Sequence, residues 1–214
     1  MTHQRGGCAV WTIVVAAGAS TRFGRPKLLE SIDGKTVVEH AVATARASCE
    51  EVVVVTSDDR IAGLCREAVV VAGGATRSAS VRCGLAAVPD EVEFVLVHDA
   101  ARPGADVSVF ARVIEALRAG ADSVVPGLAV ADTIKEVSGD VVVGTPDRSV
   151  LVAVQTPQGF RADLLRRAHL DGGDATDDAA LIELAGGTVK VVEGSLRAAK
   201  ITTEHDLVVA RAAW

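Results

Sequence analysis

An α/β fold built on a mostly parallel sheet is what this sequence predicts, and three observations carry that prediction. Short β-branched apolar runs recur from residue 10 onward. Stretches of helical composition about a dozen residues long separate them, which is the rhythm of βαβ units. The runs are apolar almost throughout rather than alternating, as strands covered on both faces must be.

The first strand is expected at residues 10–16. The apolar run from Cys8 to Ala19, preceded by Arg5 and ending in Ala17-Gly18-Ala19, has the outline of a secretory signal peptide. It is too short to cross a bilayer. Its centre, Val10 to Val15, is rich in β-branched residues and contains no Leu, so it reads as a buried strand entering a ligand-binding turn. Further strands are expected at residues 51–57, 68–72, 93–98 and 123–126, with helices at 36–47, 59–66, 77–87 and 106–119. Right-handed crossovers would place helices on both faces and ligands at the carboxyl ends of the strands.

The rhythm changes after Gly127. Residues 130–137 and 141–144 alternate and are joined by Ser138-Gly139-Asp140, which reads as a β-hairpin. Asp132, Lys135, Glu136, Asp147 and Arg148 keep this segment out of the core, as an active-site flap or a dimerisation arm. A strand at 150–154, helices at 161–168 and 176–184, a strand at 189–192 and a helix from Thr203 complete the chain. No repeat, low-complexity tract or interdomain linker interrupts it. Residues 1–214 therefore read as a single Rossmann-like three-layer domain with a projecting β-hairpin arm at about 130–148.

Composition narrows the function. Hydrophobic residues make up 49% and charged residues 23%, so a large core forms and disorder is excluded. Aromatics are only 3%, with no Tyr, which argues against base-stacking surfaces. The formal charge of −6 does not attract polyanions, so nucleic-acid and membrane-surface roles are not expected and an anionic ligand needs a local basic pocket. Cys8, Cys49, Cys65 and Cys83 are widely spaced without a C-x-x-C pair. They read as thiols in a reducing cytoplasm, not a zinc site or disulfide framework.

Three clusters carry chemistry. In the first, Ala16-Ala17-Gly18-Ala19-Ser20-Thr21-Arg22-Phe23-Gly24-Arg25-Pro26-Lys27, a strand runs into small residues whose backbone N–H groups can face a ligand. Such a turn serves structure as readily as phosphate, and Arg22 and Lys27 tip it towards a polyphosphate. Neither the Walker order nor the dinucleotide G-x-G-x-x-G is present. In the second, Gly73-Gly74 ends a strand and Thr76 caps a helix whose first turn presents Arg77 and Ser80. In the third, Val97-His98-Asp99-Ala100-Ala101-Arg102-Pro103, a carboxylate follows a buried strand at the ligand edge, where it can hold Mg²⁺ against phosphates. No Ser or Cys pairs with a His in a recognisable motif, so acyl transfer has no support.

Taken in order, A-A-G-x-x-x-R-F-G-x-P-K, G-G-x-x-R-x-x-S-V, V-H-D-A-A-R-P, D-T-I-K, T-x-D-R, Q-T-P-Q-x-F, T-D-D and V-E-G resemble the 2-C-methyl-D-erythritol 4-phosphate cytidylyltransferase family of non-mevalonate isoprenoid synthesis. The resemblance runs from about Val10 to Leu207. It implies a CTP-dependent transfer to 2-C-methyl-D-erythritol 4-phosphate, assisted by Mg²⁺ or another divalent cation, on a homodimer whose arms interlock and whose active sites are shared. Ala16, Ala17, Gly18, Gly74 and Ser80 would form the nucleotide pocket. Arg22 and Lys27 would act on the triphosphate, Asp99 would bind the metal, and Lys200 would face the reacting phosphate. Thr133 and Arg148 would hold the substrate phosphate in the neighbouring subunit's site, and Arg102 would bind substrate too, completing the pocket around Asp99 and the substrate.

Two departures from the family pattern stand out, one at a single position and one at a pair. Ala75 stands where a polar residue is common, so a base contact there must come from backbone. Ala198-Ala199 precede Lys200 where Asn and Ile are frequent. A fused cyclase domain, found in some relatives, is not expected after Trp214.

The chemistry of such a transfer agrees with the residues. A phosphate monoester has a second pKa near ~6, so its attacking oxygen is already ionised and needs no general base. What the reaction needs is charge neutralisation around an in-line displacement. A cytidylyltransferase for another polyol phosphate, such as ribitol 5-phosphate, would share the CTP half of the site and differ around the arm and Asp99–Arg102. A catalytically dead nucleotide-binding module would lack Lys27, Asp99 or Lys200, and all three are present. A nicotinamide-dependent oxidoreductase would need the missing glycine fingerprint.

Overall fold

Residues 9–170 and 175–214 are described by the computed structural model of the chain. In chain order, β1 (Val10–Val15) is followed by a small hairpin, β2 (Ser31–Ile32) and β3 (Lys35–Thr36), and then α1 (Val37–Ser48). Next come β4 (Glu51–Val55), α2 (Asp59–Leu64), β5 (Val69–Val71), α3 (Arg77–Leu85), β6 (Phe94–Asp99) and α4 (Val107–Arg118). The second half holds β7 (Ser123–Ala129), β8 (Glu136–Ser138), β9 (Val141–Gly144), β10 (Val152–Val154) and β11 (Gln158–Arg161). It closes with α5 (Ala162–Leu170), α6 (Asp178–Leu184), β12 (Val189–Glu193) and α7 (Glu204–Ala212).

The main sheet runs β10-β7-β11-β6-β1-β4-β5, with β12 on the other side of β7. β1 pairs in parallel with β4 and β6, β4 with β5, and β7 with β12. Successive residues of β1 point to opposite faces, so Val10 and Val14 enter one core and Ile13 the other. The first core is closed by Val38 and Val42 of α1, Phe110 and Val113 of α4, and Leu207 of α7. The second is closed by Val81 of α3, Leu165 of α5 and Ile182 of α6. This is the expected α/β domain, with helices on both faces of a mostly parallel sheet.

Helix starts are fixed by side chains the sequence supplies. Thr36 and Glu39 form a reciprocal capping box at α1, and Thr203 and Asp206 form one at α7. Thr76, Asp106 and Asp177 cap α3, α4 and α6.

Three local expectations need correction. The β2–β3 hairpin was not expected, although Asp33-Gly34 is its turn signal, with both residues at positive φ (44° and 79°). β11, also not expected, inserts antiparallel between β6 and β7. Its only large apolar residue is Phe160. Gly159 brings the backbone so close to Val113 and Leu117 of α4 that no side chain would fit, so close approach replaces the apolar run. In the arm, pairing covers Glu136–Ser138 rather than residues 130–137: Glu136 already pairs with Gly144, the last residue of β9, and a register shift between Glu136 and Val137 interrupts the ladder within this short stretch. None of residues 129–154 is buried.

Candidate active site

The carboxyl ends of β1 and β6 open onto a cleft of about 390 Å³. One wall is the loop after β1. There Ser20 takes a left-handed conformation (φ 54°) and its carbonyl accepts the N–H groups of Phe23 and Gly24. This turn buries Phe23 and leaves Arg22 and Lys27 lining the cleft. The opposite wall is the start of α3. The Ser80 hydroxyl donates to the Thr76 carbonyl at 3.0 Å and accepts the Gly74 N–H at 3.1 Å, which pins the Gly73-Gly74 loop. Gly74 has no room for a side chain, because a Cβ there would lie 2.5 Å from that of Ala79.

Asp99 forms the floor. Its Oδ2 accepts from Lys200 Nζ at 2.8 Å and lies 3.6 Å from Arg102 Nε, and its Oδ1 lies 3.7 Å from Arg77 Nε. Burial alone would raise its pKa, but Lys200, then Arg77 and Arg102, hold the carboxyl down at about 2. Burial, then the neighbouring charges of Lys200 and Arg22, push the Lys27 ammonium below the ordinary lysine range. Such crowding of like charges is the signature of a pocket shaped for an anion.

The neighbouring His98 is no acid or base for this cleft. It is fully buried, and burial lowers its pKa to about 4, so the ring is neutral at pH 7. Its Nδ1 lies 3.0 Å from Thr156 Oγ1, which also accepts the Asp99 backbone N–H at 3.0 Å. Thr156, whose peptide bond to Pro157 is cis, thus ties the Q-T-P-Q segment to the end of β6.

Of the residues expected at the site, Ala17, Gly18, Arg22, Lys27, Gly74, Ser80, Asp99 and Lys200 meet around this one cleft. Ala16 is buried and extends the pairing of β1 with β4, its N–H donating to the Val55 carbonyl. It faces a smaller adjoining hollow with Thr56 and Ser57. Arg102 lies behind the floor, donating from Nη1 to the Ala198 carbonyl at 2.9 Å. Thr133 and Arg148 sit on the arm, away from the cleft of their own chain; Arg148 donates to the Ala131 carbonyl. Sequence reasoning named Arg77 but gave it no place in the site, and it lines the cleft. It also missed Thr156 and Asp178; the signal for each was the motif that contains it.

Among the described residues, Asp99 is the one carboxylate lining the cleft, and no group of three or more His, Cys, Asp and Glu could hold a metal unaided. No helix among them is long and apolar enough to cross a membrane. Cys49, Cys65 and Cys83 are free thiols, and Cys8 lies outside the described residues.

Known proteins are similar to this chain in sequence and in fold. A 2-C-methyl-D-erythritol 4-phosphate cytidylyltransferase from Rhodococcus jostii (strain RHA1) is 47% identical over 213 residues, covering 95% of this chain and 94% of the relative. A bifunctional enzyme, IspD/IspF, from Clavibacter michiganensis is 46% identical over 91% of this chain, which spans 52% of that relative. The crystal structure of the cytidylyltransferase from Thermus thermophilus is similar with a TM-score of 0.83 and 38% identity, over 96% of this chain and 98% of that one. The family model described as IspD, 2-C-methyl-D-erythritol 4-phosphate cytidylyltransferase, matches residues 10–214. With a match from the first strand to the last residue, the chain belongs to the 2-C-methyl-D-erythritol 4-phosphate cytidylyltransferase family.

Proposed function

We propose that this chain transfers the cytidylyl group of CTP to 2-C-methyl-D-erythritol 4-phosphate. An ionised oxygen of the substrate phosphate forms a bond to the α-phosphorus of CTP, the bond to the α,β-bridging oxygen breaks, and pyrophosphate leaves. The products are 4-diphosphocytidyl-2-C-methyl-D-erythritol and pyrophosphate. The observation that carries this reading is the convergence of Arg22, Lys27 and Lys200 on one cleft beside Asp99, at the carboxyl ends of parallel strands.

Each residue then has a task. The small residues Ala17, Gly18 and Gly74 let the nucleotide approach backbone N–H groups, with Ala16 and Ser80 holding those segments in shape. Arg22 and Lys27 neutralise charge that builds on the triphosphate as the bond to pyrophosphate breaks. Lys200, held on Asp99, faces the attacking phosphate. No proton needs to move, which agrees with the neutral, buried His98.

A divalent cation such as Mg²⁺ fits this cleft only as a shared ligand. One carboxylate oxygen from Asp99 joined by phosphate oxygens is an ordinary Mg²⁺ environment, whereas an all-protein cage is not available among the described residues. When bound, the ion would neutralise the triphosphate and orient it for in-line attack.

We assign the arm to a twofold dimer. Val137, Val141, Val142, Val143 and Val150 are each more than half exposed, an apolar surface that supports burial against a second copy. In that arrangement Thr133 and Arg148 would reach the partner's cleft. The free thiols of Cys49, Cys65 and Cys83 support a reducing, cytoplasmic setting.

The reading is tested by pyrophosphate release from CTP with each alcohol phosphate supplied separately. Turnover with 2-C-methyl-D-erythritol 4-phosphate, at least tenfold above that with ribitol 5-phosphate, is the expected result. Preference for ribitol 5-phosphate would move the chain to the other substrate.

A further inference from the structure

We propose that Asp178 and His169 are positioning residues that act through Arg77, fixing its guanidinium beside Asp99 from the far side of the cleft wall. The inference rests on the cytidylyl-transfer reading of that cleft.

Arg77 is held unequally at its two ends. Its Nη1 donates to Asp178 Oδ2 at 2.7 Å, whereas its Nε stands 3.7 Å from Asp99 Oδ1. The guanidinium is therefore anchored on Asp178 and leans towards Asp99. Burial works against its charge, and Asp178, then Asp99, outweigh that and raise its pKa. Asp178 has no solvent exposure, so its other oxygen also needs a donor. His169 Nε2 supplies it at 3.0 Å, from the last turn of α5.

The anchor is itself pinned to the sheet. Gln158 of β11 donates from Nε2 to Asp177 Oδ2 at 2.7 Å and accepts the Ala179 N–H at 3.4 Å. Gln158 pairs with Val97 of β6, the strand that ends in Asp99. Arg77 and Asp99 are thus referred to one strand by two routes, backbone on one side and the chain Gln158, Asp177-Asp178, Arg77 on the other. Without Asp178, Arg77 is free to collapse onto Asp99 and compete with Lys200 for it. A displacement of this size at a reacting centre costs large factors in rate.

The test is a double-mutant cycle of Asp178→Asn and Arg77→Ala, read by turnover of CTP with the alcohol phosphate and, separately, by calorimetric CTP binding. Urea unfolding establishes that each variant is folded. Asp178→Asn is expected to lower kcat/KM by about tenfold or more in the wild-type background, and by less than about twofold when Arg77 is already Ala. An equal loss in both backgrounds, or no loss in either, overturns the proposal. Should Asp178→Asn not fold, His169→Gln and His169→Leu replace it. Gln keeps a donor for the carboxylate and is expected to retain activity that Leu loses, with the loss confined to chains that keep Arg77. Equal behaviour of Gln and Leu overturns the proposal. A wild-type chain that binds CTP but turns over no alcohol phosphate would defeat the functional reading alone, since the cycle can still be read on CTP affinity.

Discussion

Lys200 Nζ donates to Asp99 Oδ2 across 2.8 Å, joining two residues that lie 101 positions apart in the chain. The contact is set by backbone on both sides. The Ile201 N–H donates to the Ala101 carbonyl at 2.8 Å, and Arg102 reaches the Ala198 carbonyl at 2.9 Å. Gly104 lies so close to the Arg197 carbonyl that a side chain would strike it. Ala198, one of the positions that depart from the family pattern, is fully buried and contributes through its carbonyl. Arg102 thus braces the segment that carries Lys200 through backbone, whatever the side chain at 198.

Replacing Asp99 by Asn removes the negative charge that pairs with Lys200 and, among the described residues, the one carboxylate lining the cleft. Turnover is expected to collapse, most severely when Mg²⁺ is limiting. The same variant reads the pKa. Asp99 titrates at about 2 when folded and near ~3.9 when unfolded, so its ionised form stabilises the fold above about pH 4. That contribution, on the order of 2 kcal/mol, is lost as pH falls through the folded value. The gap in urea midpoint between wild type and Asp99→Asn should narrow between pH 4 and 2; a constant gap contradicts the assignment.

Lys27→Ala and Lys200→Ala are expected to lower kcat by ~10²-fold or more if, as proposed, Lys27 neutralises charge building on the triphosphate and Lys200 faces the attacking phosphate. Steady-state kinetics decides. A rise in KM for CTP with kcat unchanged would mean that the lysine only binds the nucleotide.

Gly74→Ala puts a Cβ 2.5 Å from that of Ala79 and 2.9 Å from the Ala79 backbone carbon. The loop must move, and with it the Gly74 N–H held by Ser80. Affinity for CTP, measured by calorimetry, is expected to fall by about tenfold or more while the urea midpoint changes little. Undiminished CTP binding would place the nucleotide elsewhere.

Shared sites are tested by mixing inactive chains. Asp99→Ala and Arg148→Ala chains, unfolded and reassembled in equal amounts, form about half heterodimers by random pairing. Each heterodimer has one intact site if arms are exchanged, so about a quarter of wild-type activity should return. No recovery, with heterodimers demonstrated by mass spectrometry, would mean that each arm serves its own chain.

The parts of the fold legible in the sequence were those with strong local signals. Val52 to Val55 is an unbroken apolar strand and Val10 to Val15 is interrupted only by Thr12, and Thr36 with Glu39 marks a helix start. β11 was not legible, because Gln158 and Gly159 are chosen for a hydrogen bond and a close approach rather than for β-propensity. The phosphate loop announced itself through Arg22, Lys27 and its small residues. Arg77 did not: an Arg at a helix start looks solvent-facing until Asp99 and Asp178, from distant parts of the chain, are seen to converge on it. Arg102 was assigned to the pocket by the family resemblance; its Nε stands 3.6 Å from Asp99 Oδ2, and its Nη1, which no local signal foretold, holds the Ala198 carbonyl in the segment that carries Lys200.

In the proposed mechanism the substrate phosphate attacks the α-phosphorus of CTP. One measurement tests it most directly: a single turnover with heavy oxygen in the phosphate of 2-C-methyl-D-erythritol 4-phosphate, followed by mass spectrometry and phosphorus NMR of both products. All of the label should stay in the cytidine-diphosphate product, part of it in the new bridging oxygen, and the pyrophosphate should be unlabelled. Label in the pyrophosphate, or CTP consumed without a labelled diphosphate product, would contradict it.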